Sequence, residues 1–401
     1  MTHDNAGPLA GLRILDISTV IAGPWASTLL ADLGAEVLKA ELPDGSDALR
    51  HLPPHKEDTP LWWKTINRNK RGITLDLRKP EGKALLLKML PGFDVLVENF
   101  RTGTMDRWGL DKDTLWRAQP KLVILRVTGF GQTGPYRAKP GFARVFEAMS
   151  GFTHICGDPD GPPLHAGFPL GDSFAGLFGA LGIMSAMYHR LKHPEAPGQE
   201  IDLAATEAMF RVVDFLAVEY DQLGMVRERI GNLNAYAAPS NVYRTRDGKW
   251  ISLAVSAQSV FERFARAIER PELITDPRFS DNRTRVQNRA AIDAIVAAWI
   301  AARDLAELVA VLTRHEITFS PIYSIRDVLA DPHFIAREMV TSVDDSVLGP
   351  VKMHNVVPRF SATPGSIRNS GPELGAHNAE VYAEFGLDAA TLASLKEKGV
   401  I

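Results

Sequence analysis

A chain of 401 residues exceeds the size at which one hydrophobic core stops growing, so two domains are expected; 45% hydrophobic and 23% charged content belong to an ordinary globular protein, not a disordered or fibrous one. A formal charge of -3 without any dense Lys/Arg stripe excludes the basic footprint that nucleic acid requires. No apolar run reaches the roughly 20 residues that span a bilayer, residues 1–8 lack a signal-peptide layout, and a single cysteine excludes an internal disulfide, so a cytoplasmic protein without membrane or nucleic-acid partners is expected.

Through the first 130 residues, short β-branched or Leu-rich runs alternate with helical stretches, which predicts an α/β fold with a mostly parallel, Rossmann-like sheet. Strands are expected at Leu12–Ile17, Glu36–Glu41, Gly72–Leu77, Asp94–Asn99 and Leu122–Thr128, and helices at Pro24–Leu33, Pro80–Leu90 and Lys112–Arg117. Asp172–Leu191 reads as a helix dense in small residues, and after a short strand at Glu200–Leu203, Ala204–Leu223 reads as one long amphipathic helix. Further on, Val242–Thr245 and Trp250–Val255 flank Arg246-Asp247-Gly248, a hairpin signal that opens a smaller α+β domain. Helical patterns follow at Ser259–Glu269, Arg289–Ala302 and Leu305–His315. The expected division is a large domain of residues 1–223 completed by residues 340–401, a small domain of residues 227–325, and a linker at 326–339.

Several chemistries lack their signatures. The first strand–helix junction, Ser18 to Pro24, holds one glycine where a dinucleotide-binding turn places three, and no phosphate-binding Gly-x-x-x-x-Gly-Lys loop is present. The histidines do not fall at zinc-ligand spacings, so no metal site is expected. Cys156 reads as a small buried apolar residue and His165 as an ordinary loop residue.

The segment from Gly161 to Phe174 is punctuated by Gly and Pro and runs into a helix start at Asp172, after which glycines recur at 176, 179 and 182. Each costs about 1 kcal/mol relative to Ala inside a helix, so the stripe implies close approach of another backbone or of a narrow ligand. The residues alone leave Asp172 open between a helix cap, a role Ser173 also fits, and a reactive carboxylate.

Around these positions stand Pro8 to Asp16, Ala22-Gly23-Pro24, Ala31 to Val37, Asn67 to Arg71, Leu75-Asp76-Leu77, Val97 to Phe100, Gly129 to Tyr136, Thr363-Pro364-Gly365 and Leu374-Gly375. In this order, and over nearly the whole chain, they resemble the family III CoA-transferases of CaiB/BaiF type. The resemblance implies that Asp172 is a nucleophile that accepts an acyl group. It implies a CoA cleft formed by Ile21 and Ala22, by Leu75 and Arg78, and by Asn99, Phe100 and Arg101, with Arg107 meeting the CoA phosphates; for Arg101 and Arg107 a solvated surface charge is the alternative. The partners implied are an acyl-CoA thioester, as substrate and not as a permanently bound cofactor, and a free carboxylic acid. An interlocked homodimer is implied as well.

Departures from the family pattern narrow the expectation. Phe142-Ala143-Arg144 follows Gly141 where many relatives have Tyr-Asp and related racemases have His, and a phenylalanine cannot move a proton. Asn234 to Ala238 stands where formyl-CoA:oxalate transferases carry a glycine-rich loop, so oxalate is not the expected acceptor. Arg144 and Gly171 are the candidate substrate residues. Arg144 could hold a second carboxylate, as in succinate or a substituted C4–C6 relative, or could be an arginine on an exposed helix face. An acyl-CoA racemase or isomerase and a non-catalytic acyl-CoA binding protein are the rival readings.

Overall fold

The computed structural model describes residues 7–401. They separate into two compact units, one made of the chain up to Phe152 with His165–Gln222 and Ile335–Ile401, the other of Thr153–Leu164 and Leu223–Phe334.

The larger unit opens with β1 (Arg13–Asp16), α1 (Ala22–Asp32), β2 (Glu36–Glu41), a small hairpin of β3 (His55–Lys56) and β4 (Thr59–Pro60), α2 (Leu61–Ile66) and β5 (Lys70–Thr74). It continues with α3 (Pro80–Met89), β6 (Val95–Glu98), α4 (Thr104–Arg107), α5 (Lys112–Ala118), β7 (Val123–Thr128) and α6 (Ala143–Met149). Then follow α7 (Leu170–Lys192), β8 (Glu200–Ala204), α8 (Ala205–Val212) and α9 (Phe215–Leu223). Six of these strands form a wholly parallel sheet in the order β5-β2-β1-β6-β7-β8. The order reverses between β1 and β6, and crevices for ligands open at such a point, outside the carboxyl ends of the strands.

Alternation along the strands builds two cores, since successive side chains point to opposite faces. Leu15, Leu38, Ile73, Leu96 and Ile124 pack on one side with α3, α5 and the C-terminal residues. Ile14, Val37, Val95, Val97 and Leu125 pack on the other with α1 and α7. Helix α7 is longer and more apolar than the sequence reading allowed: its 23 residues are enough to cross a membrane by length and composition. The glycine stripe accounts for its place here. A Cβ at Gly176 would lie 3.2 Å from the carbonyl oxygen of Ala22, so the close approach expected of the stripe is made by the backbone of α1.

In the smaller unit, β9 (Ser240–Arg244), β10 (Trp250–Ala254) and β11 (Phe319–Pro321) form an antiparallel sheet with β10 in the middle. Helices α10 (Gln258–Ala267), α11 (Asn282–Gln287), α12 (Arg289–Ala301) and α13 (Leu305–Arg314) belong with it. The core includes Ile251, Leu253, Phe261, Phe264, Ile292, Val296 and Leu308. Residues Thr153–Leu164, which the sequence assigned to the large domain, belong here: Gly231 N–H bonds the carbonyl of Gly157 (2.9 Å) and Arg229 that of His154 (2.9 Å). Two short helices, α14 (Ile325–Ala330) and α15 (Pro332–Ala336), occupy most of the stretch expected as a linker.

The chain returns to the larger unit with a hairpin of β12 (Val340–Asp345) and β13 (Gly349–His354) and ends in α16 (Asn378–Glu384) and α17 (Ala389–Glu397). This tail covers the exposed edge of β5. His377 Nδ1 accepts from Gly72 N–H (3.0 Å), Asn378 Oδ1 accepts from Thr74 N–H (2.9 Å), and the Tyr382 hydroxyl donates to the Thr74 carbonyl (2.6 Å). Edge groups that would otherwise recruit a foreign strand are thereby satisfied.

Two boundaries differ from expectation for visible reasons. Strand β5 ends at Thr74 because the N–H of Asp76 turns to the carbonyl of Val400 (2.7 Å). The single helix expected over Ala204–Leu223 breaks after Val212, where consecutive β-branched residues and an aspartate weaken helix propensity.

Candidate active site

Loops following β1, β6 and β7 converge where the strand order reverses. Asn99 ties the first two together: its Oδ1 accepts from Thr19 N–H (2.7 Å) and its Nδ2 donates to the Thr19 carbonyl (2.7 Å). The next residue, Val20, has φ of 63°, a left-handed conformation that a β-branched residue adopts only when its surroundings hold it there. Its N–H donates to Asp47 Oδ1 (3.1 Å). Beneath the loop lies a wholly buried charged knot in which Lys70 donates to Asp16 (2.9 Å), with Lys39 at 3.7 Å. Burial opposes ionisation of Asp16, but the two lysines and the hydroxyls of Ser18 and Ser27 outweigh it and hold the carboxyl well below the usual range.

A cavity of about 330 Å³ opens above this loop, lined by Thr19–Ala22, Asn99–Thr102, Val127–Gly129, Arg137, Lys139–Phe142, Phe146, Asp172 and Ala205. A second, of about 240 Å³, shares Thr19, Val20 and Phe100 with it and extends along Ile17, Lys39–Leu42, Ser46–Ala48, Leu75, Leu77, Arg78 and Trp108. The second is an apolar slot, with Phe100 and Trp108 edge to face at 5.0 Å between ring centroids. Asp47 leaves its buried Oδ2 there without a hydrogen-bond partner among the described residues. A wider hollow of about 390 Å³ between Phe130, Tyr136, Met149 and Phe210 does not include Asp172.

Asp172 sits in the first turn of α7, and its carboxylate has no hydrogen-bonded or ion-paired partner among the described residues. A helix N-terminus by itself favours a negative charge. Burial, and then the charge of nearby Glu147, win instead and push its pKa up to about 7. Glu147, on α6, is fully buried; its Oε1 accepts from Gly171 N–H (3.2 Å) and its Oε2 lies 3.0 Å from His165 Nδ1. Gly171 fits because it has no Cβ, which would stand 2.8 Å from the carbonyl oxygen of Ala143 and force α6 and α7 apart.

Of the residues singled out in sequence, Ile21, Ala22, Asn99, Phe100 and Arg101 share the cavity of Asp172, whereas Leu75 and Arg78 line the adjoining slot, which Phe100 also borders. Arg107 lines neither; it is exposed on α4 and donates to Thr104 Oγ1 (2.8 Å). Arg144 is exposed in the first turn of α6 and is not a wall residue of the Asp172 cavity. The cations in that cavity are Arg101, Arg137 and Lys139, the last lying 3.5 Å over the ring of Tyr136. Glu147, Arg137 and Lys139 were not picked out from the sequence, because α6 is too short to show a period and the two cations lie just beyond the Gly129 to Tyr136 stretch.

The strand ends thus carry an apolar slot joined to a cavity that holds a carboxylate, a layout with which an α/β enzyme can take a long, partly apolar ligand. The sequence model of CoA-transferase family III matches residues 9–378. The succinyl-CoA–D-citramalate CoA-transferase of Chloroflexus aurantiacus is 42% identical over 98% of each chain. The succinate–glutarate CoA-transferase of Agrobacterium fabrum is 33% identical over 94% of this chain and 96% of that one. A crystal structure of a CaiB/BaiF family protein from Brucella suis superposes with a TM-score of 0.84 at 33% identity, covering 94% of this chain and 99% of that one. The chain belongs to CoA-transferase family III, and it is a CoA-transferase.

Proposed function

We propose that the enzyme moves CoA from succinyl-CoA to a second dicarboxylic acid, with Asp172 as the covalent carrier. The observation that carries this reading is an unpartnered, half-buried carboxylate in one cavity with Arg101, Arg137 and Lys139. Two of its relatives, named for citramalate and for glutarate, support a dicarboxylate acceptor.

In the first step the Asp172 carboxylate attacks the thioester carbonyl, the C–S bond breaks, and CoA thiolate leaves an aspartyl–succinyl anhydride. The thiolate then attacks the aspartyl carbonyl, succinate departs with the C–O bond electrons, and an aspartyl-CoA thioester remains. The acceptor carboxylate attacks that thioester and expels thiolate, which finally attacks the acceptor's own carbonyl and frees Asp172. Each activated bond is made as another breaks, so ATP is not needed. Gly171 N–H is already given to Glu147, which leaves oxyanion stabilisation to other donors.

The slot between Leu75, Phe100 and Trp108 suits the flat heterocycle of CoA, with Asp47 Oδ2 as an acceptor for its polar edge and Arg78 near its phosphates. CoA enters as substrate, not as a resident group. For the distal carboxylate of the acid, Arg137 is the better placed cation: it lines the cavity and has no ion-pair partner among the described residues, whereas Arg144 lies outside. Leu177, Leu181 and Tyr188 form an exposed apolar stripe on α7, which supports a homodimer.

Exchange of CoA from succinyl-CoA tested with mono- and dicarboxylic acids checks the reading. Dicarboxylates are expected to be preferred by at least tenfold in kcat/KM, and Arg137→Ala to erase that preference; equal use of acetate and C4–C6 diacids by the unaltered enzyme would refute it.

A further inference from the structure

Glu147 is a carboxylate with no solvent exposure, and among the described residues its only ion-pair partner is His165, itself about one quarter exposed. Burying a charge without a fixed cation is costly. A glutamine of the same shape would accept from Gly171 N–H equally well and avoid that cost. The chain keeps the charge on the backbone N–H of the residue that immediately precedes Asp172, close enough to act on its carboxylate.

We infer that Glu147 and His165 form a positioning pair for the nucleophile, in which Glu147 anchors the first turn of α7 and repels the Asp172 carboxylate while His165 holds Glu147 in place. The inference rests on Asp172 being the acyl carrier. Acylation replaces the Asp172 carboxylate by a neutral anhydride or thioester and moves the developing charge onto the substrate oxygen. Repulsion from Glu147 is therefore present before attack and relieved during it, which raises the rate of the chemical step while leaving CoA binding untouched. The hydrogen bond to Gly171 N–H directs that repulsion, because it fixes the α7 turn against the α6 backbone where Gly171 meets Ala143. The charged groups facing Asp172 are Glu147 from α6, Arg101 from the loop after β6, and Arg137 and Lys139 from the loop before α6; His165, just before α7, acts through Glu147.

Two variants test the pair against a merely structural role. Glu147→Gln keeps the shape and the Gly171 bond but lacks the charge: its KM for acyl-CoA is expected to stay within about threefold, its kcat to fall about tenfold, and the acid limb of its kcat profile to move down by about one pH unit. His165→Asn keeps a donor but offers Glu147 no counter-charge, so the repulsion of Asp172 strengthens and the limb is expected to move upward. Shifts in opposite directions are the signature. An acid limb that both variants leave in place, or that both move the same way, overturns the inference, as does a kcat loss that only tracks a fall in melting temperature. Should Glu147→Gln fail to fold, the part-exposed His165→Asn decides alone, and an unmoved limb overturns it. Asp172→Asn separates the layers: if it still exchanges CoA, the carrier role falls and this inference with it, whereas an inactive Asp172→Asn beside a Glu147→Gln of unaltered profile defeats the inference alone.

Discussion

Asn99 grips Thr19 by both its backbone groups, at 2.7 Å each way, and so joins the loop after β6 to the loop after β1 across the point where the sheet reverses. The bridge explains how a residue expected to touch CoA can matter without doing so: it holds the cavity wall, with Val20 in a left-handed conformation one residue on.

Replacing Asn99 by Ala removes both backbone hydrogen bonds, of about 1 kcal/mol each, and a longer one from the Thr19 hydroxyl, and frees the strained loop. A rise of about tenfold in KM for acyl-CoA is expected in steady-state kinetics, with kcat changed less. Unchanged KM would show that the bridge is incidental.

With Asp172 as the proposed carrier, activity and stability are expected to respond to pH in opposite senses. Its folded pKa of about 7 lies above the unfolded value of 3.8, so the fold prefers the protonated carboxyl; this contribution is complete below about pH 4 and is lost as pH rises through 7. Attack needs the ionised form, so kcat is expected to climb with pH to a plateau above 7. Asp172→Asn should abolish exchange, by about 10³-fold or more, yet be more stable than the parent by roughly 1–3 kcal/mol at pH 8, a gain that shrinks towards pH 4. Calorimetry at the two pH values checks the sign.

Gly171→Ala sets a methyl group 2.8 Å from the Ala143 carbonyl oxygen, against backbone that cannot swing aside. Overpacking of this kind costs about 1–3 kcal/mol. Because the strain falls one residue from Asp172, turnover is expected to fall by more than the loss in urea-unfolding stability accounts for. An active, fully stable variant would show that α6 yields easily.

Tyr382→Phe deletes the hydroxyl that donates to the Thr74 carbonyl and is expected to cost about 1 kcal/mol in urea unfolding. Asn378→Ala, which leaves the Thr74 N–H on the sheet edge unpaired, should add concentration-dependent aggregation, read by light scattering.

Much of the large unit is legible because parallel strands buried on both faces read as continuous apolar runs: Glu36–Glu41 was expected and found over the same residues, and Asp94–Asn99 differs by one residue at each end. Asp172 was reached through its helix start and the resemblance, not through any local signal for reactivity. What stayed hidden depends on distant partners. Glu147 becomes notable only when Gly171 and His165, remote in sequence, close around it. Arg144 drew attention by adjacency to Gly141, but the turn of α6 carries it to the outer face while Arg137, seven residues earlier, lines the cavity.

Strand β5 and its cover are made at very different times. Gly72 and His377, which bond each other, are 305 residues apart, and the smaller unit is encoded between them. On the ribosome the sheet must therefore wait with one side open while an entire separate unit is synthesised and has time to fold. A stalled or prematurely terminated chain would carry its cavity loops almost complete and its adhesive margin bare, so such products are expected to depend on holding chaperones far more than the finished enzyme does.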